Sequence, residues 1–208
     1  DNGFTASHYL AGINEYAIKK AVKSASDGMD FFQRCSGLLA LEGKHLKFVS
    51  PLGFPMHQYY REWKKGKQKV PLYKTDTGKI EKGQEVYYRK YTDKIDFKKS
   101  KQAVAANIVH CLDATHLMMT VLRAKDVGIT DVMVVHDSFS TTIAGTKRLA
   151  YEIRKAFYDL YDGYCVYTDL LQQVIEQLDD PASCDLPPIP AKGDLDLTEV
   201  LESDYNFS

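Results

Sequence analysis

The residues of this chain with the clearest chemical potential are His136 and Asp137, set between Val132-Met133-Val134-Val135 and Ser138-Phe139-Ser140-Thr141. β-Branched residues favour strands and Asp and Ser favour turns, so the segment predicts a strand, a tight turn and a second short strand with an acid at the tip. A buried strand leading into the turn would hold that acid more rigidly than a loop. A carboxylate fixed in this way suits Mg²⁺, a hard octahedral cation that keeps several waters and takes only one or two protein carboxylates beside substrate phosphates. The plain alternative is a turn in which Asp137 caps local backbone amides. Adjacent His136, Asp137 and Ser138 alternate faces on a strand, so they do not form a Ser-His-Asp relay among themselves.

The elements that must position this turn read as mixed helix and strand. Tyr9, Leu10, Ile13, Tyr16, Ala17 and Ala21 recur at helical spacing over residues 8 to about 26, with a break expected at Asp27-Gly28. A second helix runs through Met29, Phe32, Cys35, Leu38 and Leu39 to Gly43. Residues 45–50 and 54–59 flank the turn sequence Pro51-Leu52-Gly53 and predict a hairpin. A further hairpin, long and irregular, is expected where Val70-Pro71-Leu72-Tyr73 and Glu85-Val86-Tyr87-Tyr88-Arg89 flank Asp76-Thr77-Gly78-Lys79. Helical spacing returns from about Lys101 to Lys125, with Ala103, Ala106, Ile108, Val109, Leu112, Leu117, Met118, Val121 and Leu122 apolar and a kink or break expected near Asp113. Helices follow at about 146–161 and 166–178. The first of these carries Leu149, Ile153, Ala156, Phe157 and Leu160 on one face. The proline-rich stretch 187–193 reads as extended.

A chain of 208 residues, 44% hydrophobic and 26% charged, is long enough to bury a core in one large domain or two small ones. Its longest apolar runs fall short of the ~18 residues of a membrane span, and no basic segment followed by an apolar core opens it, so a soluble protein with no membrane partner is expected. Cys35, Cys111, Cys165 and Cys184 contain no C-x-x-C pair, which argues against a zinc site and a disulfide framework. The net charge of −1 conceals an asymmetry: between Arg61 and Lys101 fourteen Lys/Arg face six acids, giving +8 there and −9 elsewhere. Trp63, Tyr73, Tyr87, Tyr88, Tyr91 and Phe97 are interleaved with that charge. Phosphate neutralisation and base stacking require this mixture, although a solvated surface loop has the same composition.

Three segments together resemble the single-subunit DNA-directed RNA polymerases of bacteriophages and mitochondria. Asn107-Ile108-Val109-His110-Cys111-Leu112-Asp113-Ala114-Thr115-His116-Leu117 is similar to that family's N-x-V-H-S-x-D-x-S-H-L stretch, and Val135-His136-Asp137-Ser138-Phe139 to its motif C. Residues 188–197, followed by Glu202-Ser203-Asp204-Tyr205-Asn206-Phe207-Ser208, resemble the end of the phage enzymes. Ser50-Pro51-Leu52-Gly53-Phe54-Pro55 is similar to the family's T-P-x-G-F-P turn. No segment before His8 resembles the upstream motifs, so the chain looks like a C-terminal portion or one partner of a split enzyme, inactive by itself.

The resemblance implies an α+β fold. Residues 1–105 would be the C-terminal part of a helical fingers region, including a specificity-loop-like hairpin over about 61–101. Residues 106–208 would be the C-terminal part of the palm, with a catalytic strand-turn-strand packed on helices. It implies Mg²⁺-dependent ribonucleotidyl transfer directed by a DNA template, with two ions shared between Asp137 and an upstream aspartate absent from this chain. His136 would support the primer terminus, and His110, Phe207 and Ser208 would lie near substrate and primer-template. Lys64, Lys65, Lys67, Lys69, Tyr87, Tyr88, Arg89 and Lys90 would meet DNA, and strand alternation leaves open which face does so. Implied partners are promoter and template DNA, nascent RNA, ribonucleoside triphosphates and the upstream portion of the same polymerase. The phage-like ending implies the cytoplasm of an infected bacterium in preference to a mitochondrial matrix. A related DNA polymerase palm is the enzymatic alternative, and a DNA-binding module with a merely structural His-Asp turn is the non-enzymatic one.

Overall fold

The computed structural model describes residues 3–73 and 80–203. The expected turn at Asp76-Thr77-Gly78-Lys79 and the terminal Phe207 and Ser208 lie outside the described residues. The order of elements is α1 (Phe4–Ala21), α2 (Lys23–Leu41), β1 (Lys47–Val49), β2 (Pro55–His57), β3 (Arg61–Tyr73), β4 (Ile80–Ile95), α3 (Phe97–Asp126), β5 (Met133–Val135), β6 (Ser138–Ser140), α4 (Thr146–Tyr161), α5 (Val166–Gln177) and α6 (Glu199–Glu202). Three antiparallel two-stranded hairpins stand among the helices, β1 with β2, β3 with β4 and β5 with β6. The α+β expectation is met at this level.

The core forms where α2 packs on both α3 and α5. Phe31, Phe32, Cys35 and Leu39 of α2 meet Val104, Ile108, Cys111 and Leu112 of α3, Leu170 and Val174 of α5, and Leu46 and Phe48 at β1. Each fully buried Leu or Phe contributes roughly 1.5–3 kcal/mol. Gly28 does not break the second helix as expected. The first two helices separate instead at Val22, whose backbone is non-helical, and Gly28 is buried inside α2 because a side chain there would run into the Tyr167 hydroxyl and lie 3.2 Å from its Cζ. The Tyr167 ring cannot retreat easily, since the Phe31 and Phe32 rings lie 5.4 and 5.3 Å from it.

The outer edge of β1 is closed by side chains. Gln173 Nε2 donates to the Val49 carbonyl and Gln173 Oε1 accepts from the Val49 N–H. One helical turn on, Gln177 does the same for Lys47. The β1–β2 turn has Pro51 at its second position and Gly53 at φ 80, with the Gly53 N–H donating to the Ser50 carbonyl at 2.8 Å.

α3 is one continuous helix of 30 residues. The kink expected near Asp113 is absent because Asp113 faces solvent and asks nothing of the backbone. The helix also crosses the 105/106 line. By length and composition it would be apolar enough to span a membrane, yet its buried apolar residues pack inside the fold, chiefly against α2. The α3–α4 contact is polar. Glu152 is buried at 2% exposure and accepts from Arg123 Nε at 3.1 Å and Arg148 Nε at 3.0 Å, while Arg123 also pairs with Asp159 at 2.7 Å.

The basic hairpin is more regular than expected, with pairing from Arg61↔Ile95 to Tyr73↔Ile80 and register shifts near its two ends. It ends at Ile95, so Lys98, Lys99 and Lys101 belong to α3 and the expected boundary at 101 is corrected to 95. The Asp96 carboxylate caps α3 by accepting from the Lys99 N–H at 2.9 Å.

Two substitutions test this packing by urea or thermal unfolding. Gly28→Ala lowers stability by about 1–3 kcal/mol through overpacking, against the usual gain for Gly→Ala in a helix, and adding Tyr167→Phe restores most of it. Glu152→Ala costs about 1.5–3 kcal/mol because Arg123 and Arg148 lose a buried charged acceptor, while Arg123 keeps Asp159.

Candidate functional site

The His-Asp turn is a two-residue connection, with Val135 paired to Ser138, Val134 to Phe139 and Met133 to Ser140. A loop this short needs positive φ within it. His136 supplies it at φ 55, alone among the described non-glycine residues. Such a conformation costs of order 1–3 kcal/mol and persists only where its surroundings enforce it. Asp137 follows on the exposed tip.

The strand leading to the turn is not buried as expected. Met133 and Val135 are 65% and 56% exposed, because β5 pairs only with β6 and no described element covers that side. Rigidity comes instead from the opposite side. Phe139 packs edge-on against His116, whose ring also meets Phe157 of α4. His116 is buried at 7% exposure and its Nε2 lies 3.0 Å from the Ile153 carbonyl, which fixes the N–H there as donor. The imidazole thus ties the hairpin, α3 and α4 together. Sequence reading quoted His116 within its motif and assigned it no role; the signal available was its four-residue spacing from the buried Leu112 and Thr120.

Between the turn and α3 opens a cleft of about 700 Å³, lined by His110, Asp113, Leu117, His136 and Asp137 among others. The structure therefore brings together His110, His136 and Asp137, three of the predicted site residues. It adds Asp113, an exposed acid three residues beyond His110 and so on the same helix face, which sequence reading quoted within its motif and as a possible break but assigned no site role. His110 and Ala114 also border a second hollow of about 440 Å³ that reaches Asn107, Gln58 and Tyr60. The polar floor there is held by Gln58, buried at 2% exposure, whose Nε2 donates to the Ser100 carbonyl at 2.5 Å. Asn107 Nδ2 donates to the Tyr60 hydroxyl at 3.2 Å.

Whether this cleft suits Mg²⁺ turns on its donors. Asp137 and Asp113 are exposed carboxylates on one cleft wall each, which fits a cation that retains waters and needs few protein ligands. No cluster of three or more His, Cys, Asp or Glu able to hold a metal exists among the described residues, so these donors make at most a part-site.

The remaining predicted residues lie apart, on the hairpin. Its register puts Lys65, Lys67, Lys69, Tyr87 and Arg89 on one face with Trp63 and Tyr91, and Lys64, Tyr88 and Lys90 on the other. The first face holds its cations over rings: Lys65 Nζ is 4.0 Å from the Tyr87 centroid and Arg89 4.8 Å from that of Trp63. On the second face the Tyr88 ring lies over Gly66, where a side chain would come within 2.7 Å of it.

The family model for DNA-dependent RNA polymerase matches residues 1–185. The polymerase of Enterobacteria phage K11, named DNA-directed RNA polymerase, is 31% identical over 98% of this chain and 23% of its own length. DNA-directed RNA polymerase 1, mitochondrial, of Nicotiana sylvestris is 32% identical over 99% of this chain and 19% of its own. DNA-directed RNA polymerase 2, chloroplastic/mitochondrial, of Arabidopsis thaliana is 30% identical over 99% and 19%. The chain belongs to the DNA-dependent RNA polymerase family, phage-type and single-subunit. It spans about a fifth of the length of these relatives.

Burial holds the His116 imidazole below its ordinary range, partly opposed by the Ile153 carbonyl and by Asp113. His45 is lowered too, by burial and then by neighbouring His57. Because the unfolded chain takes up these protons more readily, stability is full above about pH 6.5 and falls as pH drops below it. Thermal melts from neutral to mildly acidic pH show this slope, and His116→Asn flattens part of it, leaving the share due to His45.

Proposed function

We propose that this chain carries half of the catalytic site of a DNA-directed RNA polymerase, with Asp137 as its metal-binding carboxylate. The observation that carries the reading is the placement of Asp137 at the tip of a strained two-residue turn, facing His110 and Asp113 across one cleft, in a chain of this family. A Mg²⁺ ion held there would supply Lewis-acid activation of the primer hydroxyl and charge compensation for the phosphates of the incoming ribonucleotide. Asp137 would hold it jointly with a carboxylate from another part of the polymerase, which is why this chain alone is expected to be inactive. His136 would support the primer terminus. His110 would meet the ribose or minor groove of the newest base pair.

The same reading assigns residues 1–105 to the fingers and 106–208 to the palm. It assigns the basic hairpin, with Lys64, Lys65, Lys67, Lys69, Tyr87, Tyr88, Arg89 and Lys90, to promoter DNA. Template DNA, nascent RNA and ribonucleoside triphosphates are the remaining partners. The ending of the chain favours the cytoplasm of an infected bacterium, although the relatives include organellar enzymes as well as a phage enzyme. The names of these relatives favour RNA synthesis over DNA synthesis.

In a polymerase containing this chain, Asp137→Asn reduces RNA synthesis by more than about 10²-fold, beyond the loss typical of groups that only support a ligand. Promoter binding stays within a few-fold. Near-normal synthesis would overturn the metal role. His136→Gly separates backbone from imidazole, since glycine adopts φ 55 freely. The variant keeps the hairpin by NMR and melting temperature, so a fall in synthesis measures the imidazole itself.

A further inference from the structure

The base of the basic hairpin encloses a third hollow, of about 350 Å³, that shares Tyr59 and Tyr60 with the hollow beside His110. We infer that this hollow is a subsite for one unpaired nucleotide of a single strand, held by stacking against Trp63 and Tyr91 with its phosphate on Arg61.

The walls are aromatic, and each ring is already approached by a cation. Arg61 lies 5.0 Å from the Tyr59 centroid and 5.9 Å from that of Tyr91. Arg89 lies 4.8 Å from Trp63, and Lys99 4.9 Å from Tyr60. Trp63 and Tyr91, paired across the two strands, are 47% and 54% exposed, which leaves ring surface open to a base. One acid, Asp96, lines the space, and its carboxylate is engaged as the cap of α3. Asp93, outside the lining and fully exposed, stands 3.9 Å from Arg61, so three cations against two acids still leave the hollow net positive.

Rings beside cations are what single-strand binding uses, because an unpaired base offers its face for stacking while its phosphate is neutralised. A volume near the small end of ligand pockets, about 300–1,000 Å³, admits a nucleotide and excludes a duplex. The bases of a duplex are also stacked on each other, so their faces are not on offer.

The position of the hollow gives the strand a route. The three hollows follow one another along α3, from Asp113 at the Asp137 cleft to Lys99 at the hairpin base. Fourteen residues of helix separate those two, or ~21 Å, which is about six nucleotides at a stacked spacing of 3.4 Å. The direction of that route rests on the polymerase reading. The nucleotide subsite does not.

Trp63 is the only tryptophan in the chain, so its fluorescence reports on this hollow directly. Titration of the full chain with oligo(rU) or oligo(dT) of about 12 nucleotides, long enough to cover one such site, gives saturable quenching. A blunt duplex of equal phosphate count gives little. Tyr91→Ala weakens the single-strand response by about 5- to 100-fold, the loss expected for one stacked base. Arg61→Ala lowers the slope of log affinity against log salt by about one. Both side chains are at least partly solvent-facing, and far-ultraviolet circular dichroism confirms that the variants fold. Preference for oligo(rU) assigns the strand to RNA and preference for oligo(dT) to an unpaired DNA strand, and each supports the subsite. Quenching by duplex as strong as by single strands, quenching insensitive to Tyr91→Ala, or no quenching overturns it. Neither Mg²⁺ nor nucleoside triphosphate enters the assay, so that failure would leave the role of Asp137 standing.

Discussion

The cleft and the basic hairpin are both arranged on α3, whose unbroken length of 30 residues, or ~45 Å, fixes distances that flexible connections would not. Val104, Ile108 and Leu112 go to the main core, and further along His116 and Arg123 make the contact with α4, with Thr120 beside the His116 ring. A third side, with His110 and Asp113, is left for the cleft. A kink at Asp113 would rotate one half against the other and separate the hairpin base from the His-Asp turn. Continuity of this helix is therefore what makes the two ends of the molecule one surface.

The two exposed hairpins obtain their order by different means. The β5–β6 turn stores backbone strain at His136 and is anchored through Phe139 onto His116, so its tip is held by one aromatic contact rather than by a buried strand. The β3–β4 hairpin has no core of its own and is organised by cross-strand pairs. Cations sit over Tyr87 and Trp63 on one face, and on the other the Tyr88 ring lies over Gly66. Each such contact is worth only about 0.5–1 kcal/mol at exposed sites, but together they leave one face mainly cationic and aromatic, with Glu85 its acid, paired to Lys67.

Much of this was legible in the sequence where pattern and chemistry coincide. Alternating β-branched residues around His136-Asp137, the Pro51-Leu52-Gly53 turn and the apolar face of α4 all appear in the structure close to where they were expected. Other features were hidden for identifiable reasons. Gly28 reads as a breaker by propensity, yet it is buried because a tyrosine 139 positions later needs the space. The buried stripe of α3 turns polar at Thr115, His116 and Thr120, so a search for apolar spacing selected Val109 and Leu122, which are exposed. Glu152 is buried only because two arginines converge on it. Asp113 became a cleft residue only when the facing turn was in place. In each case the deciding partner lies far away in the chain, where local pattern carries no information.

The glutamines of α5 have a consequence for the small β1–β2 sheet. A primary amide presents one donor and one acceptor side by side, like a peptide group, and Gln173 and Gln177 stand at the helical pitch that matches alternate residues of β1. α5 thereby acts as a substitute third strand. An open strand edge is a template for addition of another chain, and here that template is filled by side chains from within. Aspartate or glutamate in place of either glutamine would provide acceptors only, leaving a carbonyl facing a carboxylate and reopening the edge to self-association.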